Sequence, residues 1–438
     1  MKSVTGRPGR PLKCRVVAGI DKLRAPKGTR DILAPDSARQ RHLVDRFAAI
    51  VESAGYGQVI SPMFEDVAVF SRVGESTDIV TKEMFAFTDR DDPPQHLALR
   101  PELTASIARA FVQHRPTAPW AVWYEGPQFR YERPQAGRYR QFMQVGVEVL
   151  GSADPLADVD TIVLAQEFFD DIGLTDTSLM VNSMGDEQCR PAYLDAVRGH
   201  FTEHAAALSE QSRETLAKNP LRVFDSKRPP DQPIIDTAPS LVDHLCADCL
   251  AHFDDVRSAL DRLEVDYVLS PRLVRGLDYY RRTTFEFIAP GLDTAQNAIG
   301  GGGRYDGLVE QFGGPPTPGV GFALGVDRIL LACDAADVFA APDDSADVFI
   351  VDVVGGVEAS VLSQQLRRAG LVVTRGFDQR SMKAQMKLAD RSGARVAIII
   401  GEQELSDGAV TVRHLRADSD QHAVPYPDIV SHLQELFR

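Results

Sequence analysis

The chain has 438 residues, 44% hydrophobic and 25% charged, an ordinary globular composition with room for two or three domains. A formal net charge of -14 and a pI near 5.2 exclude a surface that binds nucleic acid broadly, so any RNA site must be a local basic patch. No stretch approaches the roughly 18 uninterrupted apolar residues of a membrane span, and five scattered cysteines (Cys14, Cys189, Cys246, Cys249, Cys333) suit a reducing cytoplasm.

Residues 1–22 carry Lys2, Arg7, Arg10, Lys13 and Arg15 with no long apolar run, so a flexible tail is expected in place of a signal peptide. A start codon assigned too early and an organelle-targeting segment are the other readings. Asp36 or Ser37 is placed to cap a helix running to about Ser53; Leu43, Val44, Phe47, Ile50 and Val51 recur at helical spacing and Gly55 stops it. Between Leu97 and Ala110 a strand ends at Arg100, Pro101 breaks it, and Glu102 is expected in the first turn of a helix, with Thr104 behind it.

The stretch Trp120–Gly151 carries the most chemistry. An apolar run, Trp120 to Tyr124, leads to a loop with Pro134, Gln135, Ala136 and Gly137, and returns as a strand through Phe142, Val145, Val147 and Val149. Arg130, Arg133, Arg138 and Arg140 crowd the loop. Phe142, Gln144 and Glu148 share one face of the returning strand, because alternate residues do. A solvated basic hairpin would account for the arginines alone. Guanidiniums beside an aromatic ring and a carboxylate also suit a nucleotide next to a cationic or hydrogen-bonding small molecule.

Residues 189–265 read as a largely helical insertion. Within it, His244-x-Cys246-x-x-Cys249-x-x-His252 has the ligand types of a zinc site, but a single C-x-x-C on an apolar-periodic helix is served equally by packing. Packing cysteines are expected, and no protein metal ligand is assigned. Arg272-Leu-Val-Arg275-Gly-Leu-Asp-Tyr279-Tyr280 then precedes a strand, Thr283 to Ile288. Gly300-Gly-Gly-Gly-Arg-Tyr-Asp-Gly307 reads either as a glycine turn or as backbone approaching a substrate. Val320 to Leu331 is a strand turning into a helix, with Arg328 near its start. Residues 334–346 read as a linker. Beyond it, buried-strand runs alternate with helical patterns, and Arg375, Arg380, Lys383 and Lys387 form a basic strip.

Five segments carry a family resemblance. F-R-Y-E-R-P followed by G-R-Y-R-Q-F resembles the second motif of class II aminoacyl-tRNA synthetases, in the form seen in histidyl-tRNA synthetases. R-P-E-L-T, L-V-R-G-L-D-Y-Y, G-G-G-R-Y-D-G-L and V-G-F-A-L-G-V-D-R-I-L-L are similar to segments of the same family, and the second of these is its most distinctive string. Arg281 departs from the asparagine expected after the tyrosines. The resemblance runs from about Leu23 to the C-terminus. It implies an α+β fold: the class II antiparallel sheet flanked by helices over 23–333, the helical insertion, and an α/β anticodon-binding domain over 347–438. It also implies a cytoplasmic homodimer, with the helix near Asp36 at the interface.

The implied activity is ATP-dependent ligation of L-histidine to tRNA(His) through a histidyl-adenylate. By resemblance, Arg130 and Arg275 contact the α-phosphate, Phe142 stacks on adenine, and Arg138 and Arg328 hold the outer phosphates with Mg²⁺. Glu102, Thr104 and Gln144 bind the amino-acid backbone, and Glu148 with Tyr279 and Tyr280 reads the imidazole. Gln135, Arg375, Arg380 and Lys383 are tRNA-binding candidates. The alternative is a catalytically inactive regulatory subunit of ATP phosphoribosyltransferase. Such relatives usually lack the C-terminal domain and erode the ATP motifs, whereas this chain keeps Arg130, Arg138, Arg275 and Arg328.

Overall fold

The computed structural model describes residues 23–72, 79–273, 279–292, 297–343, 345–378, 380–417 and 420–437. Arg275 therefore lies outside the described residues. The chain divides into two compact units, Met1–Ala340 and Ala341–Arg438.

The first unit is built on an eight-stranded sheet. Its spatial order is Gly57–Gln58, Trp120–Phe129, Gln141–Leu150, Gly319–Gly325, Ala298–Arg304, Arg281–Ile288, Ser178–Ser183 and Val268–Leu269. The six central strands pair antiparallel, and the two short edge strands attach in parallel. Alternation sorts each strand by face. From Gln141–Leu150, Val145, Val147 and Val149 enter the main core. That core also takes Phe47 of the helix Asp36–Ser53, Phe168 of Pro155–Asp171, Phe253 of Ala247–Arg262 and Ile329 of Val326–Ala336. Phe47 meets Trp123, Phe168 and Phe322 edge-on. Burying each such side chain stabilises the fold by about 1.5–3 kcal/mol. The opposite face is covered in part, where Val122, Tyr124 and Leu150 pack with Ile107 and Phe111 of the helix Thr104–His114, and the remainder forms a cleft.

Several local expectations change. The first helix starts at Asp36, but its N-cap is Pro35 and no side chain caps it. The helix after Pro101 begins at Thr104, so Glu102 precedes it and is not in its first turn; Glu102 Oε1 instead accepts the Ala105 amide at 3.0 Å from outside. The hairpin strands extend to Phe129 and resume at Gln141, a wider loop than the Pro/Gly residues suggested. Gly300 to Gly303 belong to a strand and not to a turn: a Cβ on Gly302 would lie 2.0 Å from the Gly321 carbonyl oxygen of the neighbouring strand. The helix Val326–Ala336 runs on into the segment read as a linker, because Ala332 and Cys333 still face the core.

The helical segment between Ser183 and Val268 has its own small core, including Tyr193, Val197, Phe201, Val223 and Ile235. Its last helix does not share that core. Phe253, Val256 and Leu260 of Ala247–Arg262 pack into the main one.

The second unit is a five-stranded mixed sheet in the order Val373–Arg375, Val348–Asp352, Val396–Ile400, Ala409–His414, His422–Pro425. Val348 and Ile350 join one apolar cluster and Phe349 and Val351 another, so both faces are covered. Continuous apolar runs such as Val396–Ile400 follow from that double burial.

Candidate active site

Cross-strand register builds the floor of the cleft. Glu286, Gly301, Ala323, Gly146 and Tyr124 stand in one row across five strands; Thr284, Gly303, Gly321 and Glu148 stand in the next. Small residues in the middle of each row leave empty space above the sheet. The resulting cleft, about 1040 Å³, is lined by Glu102, Thr104, Arg130, Arg138, Phe142, Gln144, Tyr279, Tyr280 and Arg328 among others. Nine of the sequence-predicted residues thus share one wall system. From Phe142 to Glu148 the strand advances about 20 Å at its usual rise, long enough for an amino acid joined to a nucleotide.

At one end Glu148 is buried and does not line the cleft. The surface position expected from its shared face with Phe142 and Gln144 is thereby corrected. Thr104 Oγ1 donates to its Oε1 at 2.6 Å and the Tyr124 hydroxyl at 3.2 Å, while the Tyr305 hydroxyl donates to Oε2 at 2.5 Å. Gly321 permits this layering, since a Cβ there would stand 1.8 Å from Oε2. Burial pushes the Glu148 carboxyl up to about 8, against the opposing pull of Thr104 and Tyr305. Burial likewise raises the phenols of Tyr124 and Tyr305 well above their ordinary value, so both remain donors to the carboxylate. When Glu148 is ionised, these protons all turn inward and the three hydroxyls offer lone pairs to the cleft. Such a lining recognises N–H donors.

Glu102 strengthens that character. Its Oε2 is buried with no hydrogen-bond partner, and Gln144 Oε1 is orphaned in the same way. Burial raises the Glu102 carboxyl, and the amides at the helix start and the Arg130 charge pull against it. Unpaired buried acceptors cost about 1–3 kcal/mol each, which a bound ammonium would recover.

The other end is cationic. Arg328 Nε donates to Gly137 O at 3.2 Å and its Nη1 to Ala298 O at 2.7 Å. Burial and then the charges of Arg138 and Arg130 depress the Arg328 guanidinium. Arg130 is held by Pro101 O at 2.9 Å and sits 5.2 Å from the Phe142 ring centroid. Three guanidiniums around one cavity, of which Arg138 lies 3.6 Å from the Glu132 carboxylate, form a site for a polyanion. Glu286 and Glu132 line the same end.

Tyr124 and Tyr305, which line the cleft and bond to Glu148, are residues that motif reading passed over. Tyr305 lay inside the quoted G-G-G-R-Y-D-G run; Tyr124 needed the register that sets it opposite Gly146. Arg281 pairs with Glu187 at 3.0 Å, tying the strand start to the insertion. Gln135 is exposed at the hairpin tip. Arg375, Arg380 and Lys383 lie in the second unit, where Arg375 donates to Gly356 O at 3.0 Å and Arg380 meets Asp378 at 3.2 Å. The histidines of the H-x-C-x-x-C-x-x-H string do not converge on its cysteines. His244 packs on Tyr193, and His252 lies 3.2 Å from the buried Asp158 carboxylate.

Residues 28–329 match the family description "Histidyl-tRNA synthetase", and residues 347–436 match "Anticodon binding domain". The chain belongs to the histidyl-tRNA synthetase family. A histidine–tRNA ligase of Rhodococcus erythropolis is 47% identical over 418 residues, covering 94% of this chain and 97% of that protein. One from Rhodococcus jostii is 45% identical over 413 residues, 93% of this chain and 96% of that protein. Among solved structures, apo S. aureus histidyl-tRNA synthetase aligns with a TM-score of 0.78 at 32% identity, covering 94% of this chain and all of that one. The antiparallel sheet is therefore that of the histidyl-tRNA synthetase fold, and the second unit corresponds to its anticodon-binding domain. No helix among the described residues is long and apolar enough to cross a membrane.

Proposed function

We propose that this protein joins L-histidine to tRNA(His) in two steps. The histidine carboxylate attacks the α-phosphate of ATP, releasing pyrophosphate. The terminal adenosine hydroxyl of the tRNA then takes the histidyl group from the adenylate and AMP leaves. The observation that carries this reading is the polarity of one cleft, with orphaned acceptors at Glu102 and Gln144 at one end and clustered Arg130, Arg138 and Arg328 at the other. An ammonium and a triphosphate complement those ends.

Glu102 Oε2, Gln144 Oε1 and Thr104 receive the α-ammonium. The imidazole N–H meets the acceptor lining that Glu148 organises through Tyr124 and Tyr305, with Tyr279 and Tyr280 closing the pocket. Phe142 carries the adenine, Arg130 the α-phosphate, and Arg138 and Arg328 the outer phosphates. Little proton chemistry is required in the first step, because the attacking carboxylate is already ionised. Rate enhancement comes from alignment and charge neutralisation. Mg²⁺ accompanies ATP, and Glu286, which lines the cleft, would offer it a hard carboxylate oxygen. Arg275 is assigned to the α-phosphate by its motif alone.

The tRNA is held by the second unit, through Arg375, Arg380 and Lys383, and by Gln135 on the hairpin. The chain works as a cytoplasmic homodimer. Support for the dimer lies at the three-stranded sheet Phe64–Asp66, His96–Leu99, Ala86–Thr88, where Phe64 and Phe87 are exposed together with Ile60 and Met63 of the segment before its first strand. Sedimentation should give twice the 48.1 kDa chain mass. The decisive assay is ATP–pyrophosphate exchange: it should require histidine and be followed by charging of tRNA(His). Exchange supported equally by other amino acids, or absent altogether, would refute the assignment.

A further inference from the structure

A cluster away from the cleft has no part in that chemistry. Asp186 and Cys189 lie in the turn between the strand Ser178–Ser183 and the helix Arg190–Glu203, of which Cys189 is the N-cap. Cys246 is the N-cap of Ala247–Arg262, and Cys249 stands in that helix's first turn. The chain thus presents D-x-x-C and C-x-x-C, brought together by folding. One ligand atom from each of the four residues lies within 4.8 Å of all the others. A tetrahedral zinc with Zn–S near 2.3 Å and Zn–O near 2.1 Å places a sulfur and a neighbouring oxygen about 3.6 Å apart. Cys246 Sγ stands 3.8 Å from both Asp186 carboxylate oxygens, and Cys189 Sγ 3.4 Å from one of them.

The turn around Cys189 carries polar contacts to its sulfur and to the carboxylate. The Asp186 amide donates to Cys189 Sγ at 3.1 Å. Gly185, at φ +57°, lets the turn fold around that sulfur, which a Cβ would approach to 2.4 Å. Asp186 Oδ1 is fixed by the Gln188 and Cys189 amides, and Arg282 lies 4.0 Å from Oδ2. Cys189 and Cys249 are buried, and all four thiols among the described residues are free. Amide-to-sulfur hydrogen bonds and a nearby guanidinium offset the charge of thiolate ligands.

We propose that Asp186, Cys189, Cys246 and Cys249 bind one zinc ion in a closed, structural, tetrahedral site. Thiolates select a soft-accepting metal, and four protein ligands leave no open position for catalysis. On binding, each thiol releases its proton to solvent. The ion joins the end of a central strand to two helices of the insertion. Met184 and Gly185 exchange hydrogen bonds of 2.6 and 2.7 Å with Arg282 at the start of the strand that follows Tyr279 and Tyr280, and Tyr280 packs on the insertion core. The metal therefore braces the segment that carries the paired tyrosines.

The test uses the full chain purified under reducing conditions without chelator. Elemental analysis should find one zinc per chain. After the zinc is stripped, Co²⁺ alone should produce thiolate-to-metal charge-transfer bands, which added Zn²⁺ abolishes. Cys246→Ser/Cys249→Ser should lose both the metal and the bands, whereas Cys333→Ala should keep both. Because the double variant could misfold, the native protein supplies a second readout: stripping should lower Tm and Zn²⁺ should restore it. Chains lacking metal, with reduced thiols and no cobalt bands, would overturn the proposal, as would disulfide pairing among these cysteines.

Discussion

Glu148 shows how one side chain can govern a site it does not line. Its carboxylate fixes the hydrogen directions of Thr104, Tyr124 and Tyr305, so Glu148→Gln keeps the shape but lets those hydroxyls reverse. Histidine discrimination should fall by about 2–4 kcal/mol, measured as kcat/KM for histidine against competing amino acids. Protonation adds a second consequence. The folded carboxyl is raised from 4.5 to about 8, so across that window the folded chain holds a proton that the unfolded chain has lost. Stability from this group is therefore lost as pH climbs through the window, and Glu148→Gln should flatten that slope in urea titrations. Histidine donating to ionised Glu148's network should expel the proton. Calorimetry at pH 7.5 in buffers of different ionisation heat should detect its release in the native protein and not in the variant. Arg275 is a residue-scale case argued by motif. Its replacement by alanine should slow adenylate formation about 10²–10³-fold and spare transfer from preformed adenylate, with lysine recovering part of the loss. Single-turnover rates for each step decide this; equal slowing of both would make Arg275 structural.

Among the elements, the helices Pro155–Asp171 and Ala247–Arg262 are locked to the strand Ala298–Arg304 by a buried ionic knot. Arg304 Nη2 meets Asp158 Oδ2 at 2.7 Å and Asp154 O at 3.1 Å, and His252 approaches the same carboxylate. Both charged side chains are wholly buried. Removing one partner of such a pair strands the other, so Asp158→Asn should destabilise the first unit by about 3–5 kcal/mol in denaturant titrations. Replacement of exposed pairs such as Arg41–Asp45 should change stability by no more than about 0.5 kcal/mol. The strand glycines act differently. Gly146 and Gly321 flank each other's neighbours on the cleft face, where any Cβ would meet Tyr124 or Glu148.

For the whole molecule, the two compact units permit a division of labour between chemistry and tRNA recognition. Each has its own apolar core, so deletion of residues after 340 should leave the first unit folded. Histidine-dependent pyrophosphate exchange should persist in the shortened protein, while charging of tRNA(His) should fall by at least about 100-fold, the loss expected when several phosphate contacts go. Parallel loss of both activities would show that the second unit is required for folding or assembly.

Much of this protein was legible in the chain itself. Alternating Val145, Val147 and Val149 specified a strand and the residues it turns to the main core, and the unbroken Val396–Ile400 run specified a buried strand. Five motif strings led to the family and to most of the cleft wall, because chemistry constrains residue type and short-range spacing. Quantities set by contacts between distant segments were not legible. Glu148's depth depends on Gly321 of the neighbouring strand and on Tyr305, which follows Ala298–Arg304, and the glycine tract became a strand through pairing with Arg281–Ile288 and Gly319–Gly325. The C-x-x-C pair reads as packing in the sequence, and only folding brings Asp186 and Cys189 beside it. Local sequence fixes period and chemistry. Register and long-range closure decide which groups share a low-dielectric pocket, and there burial changes what each group does.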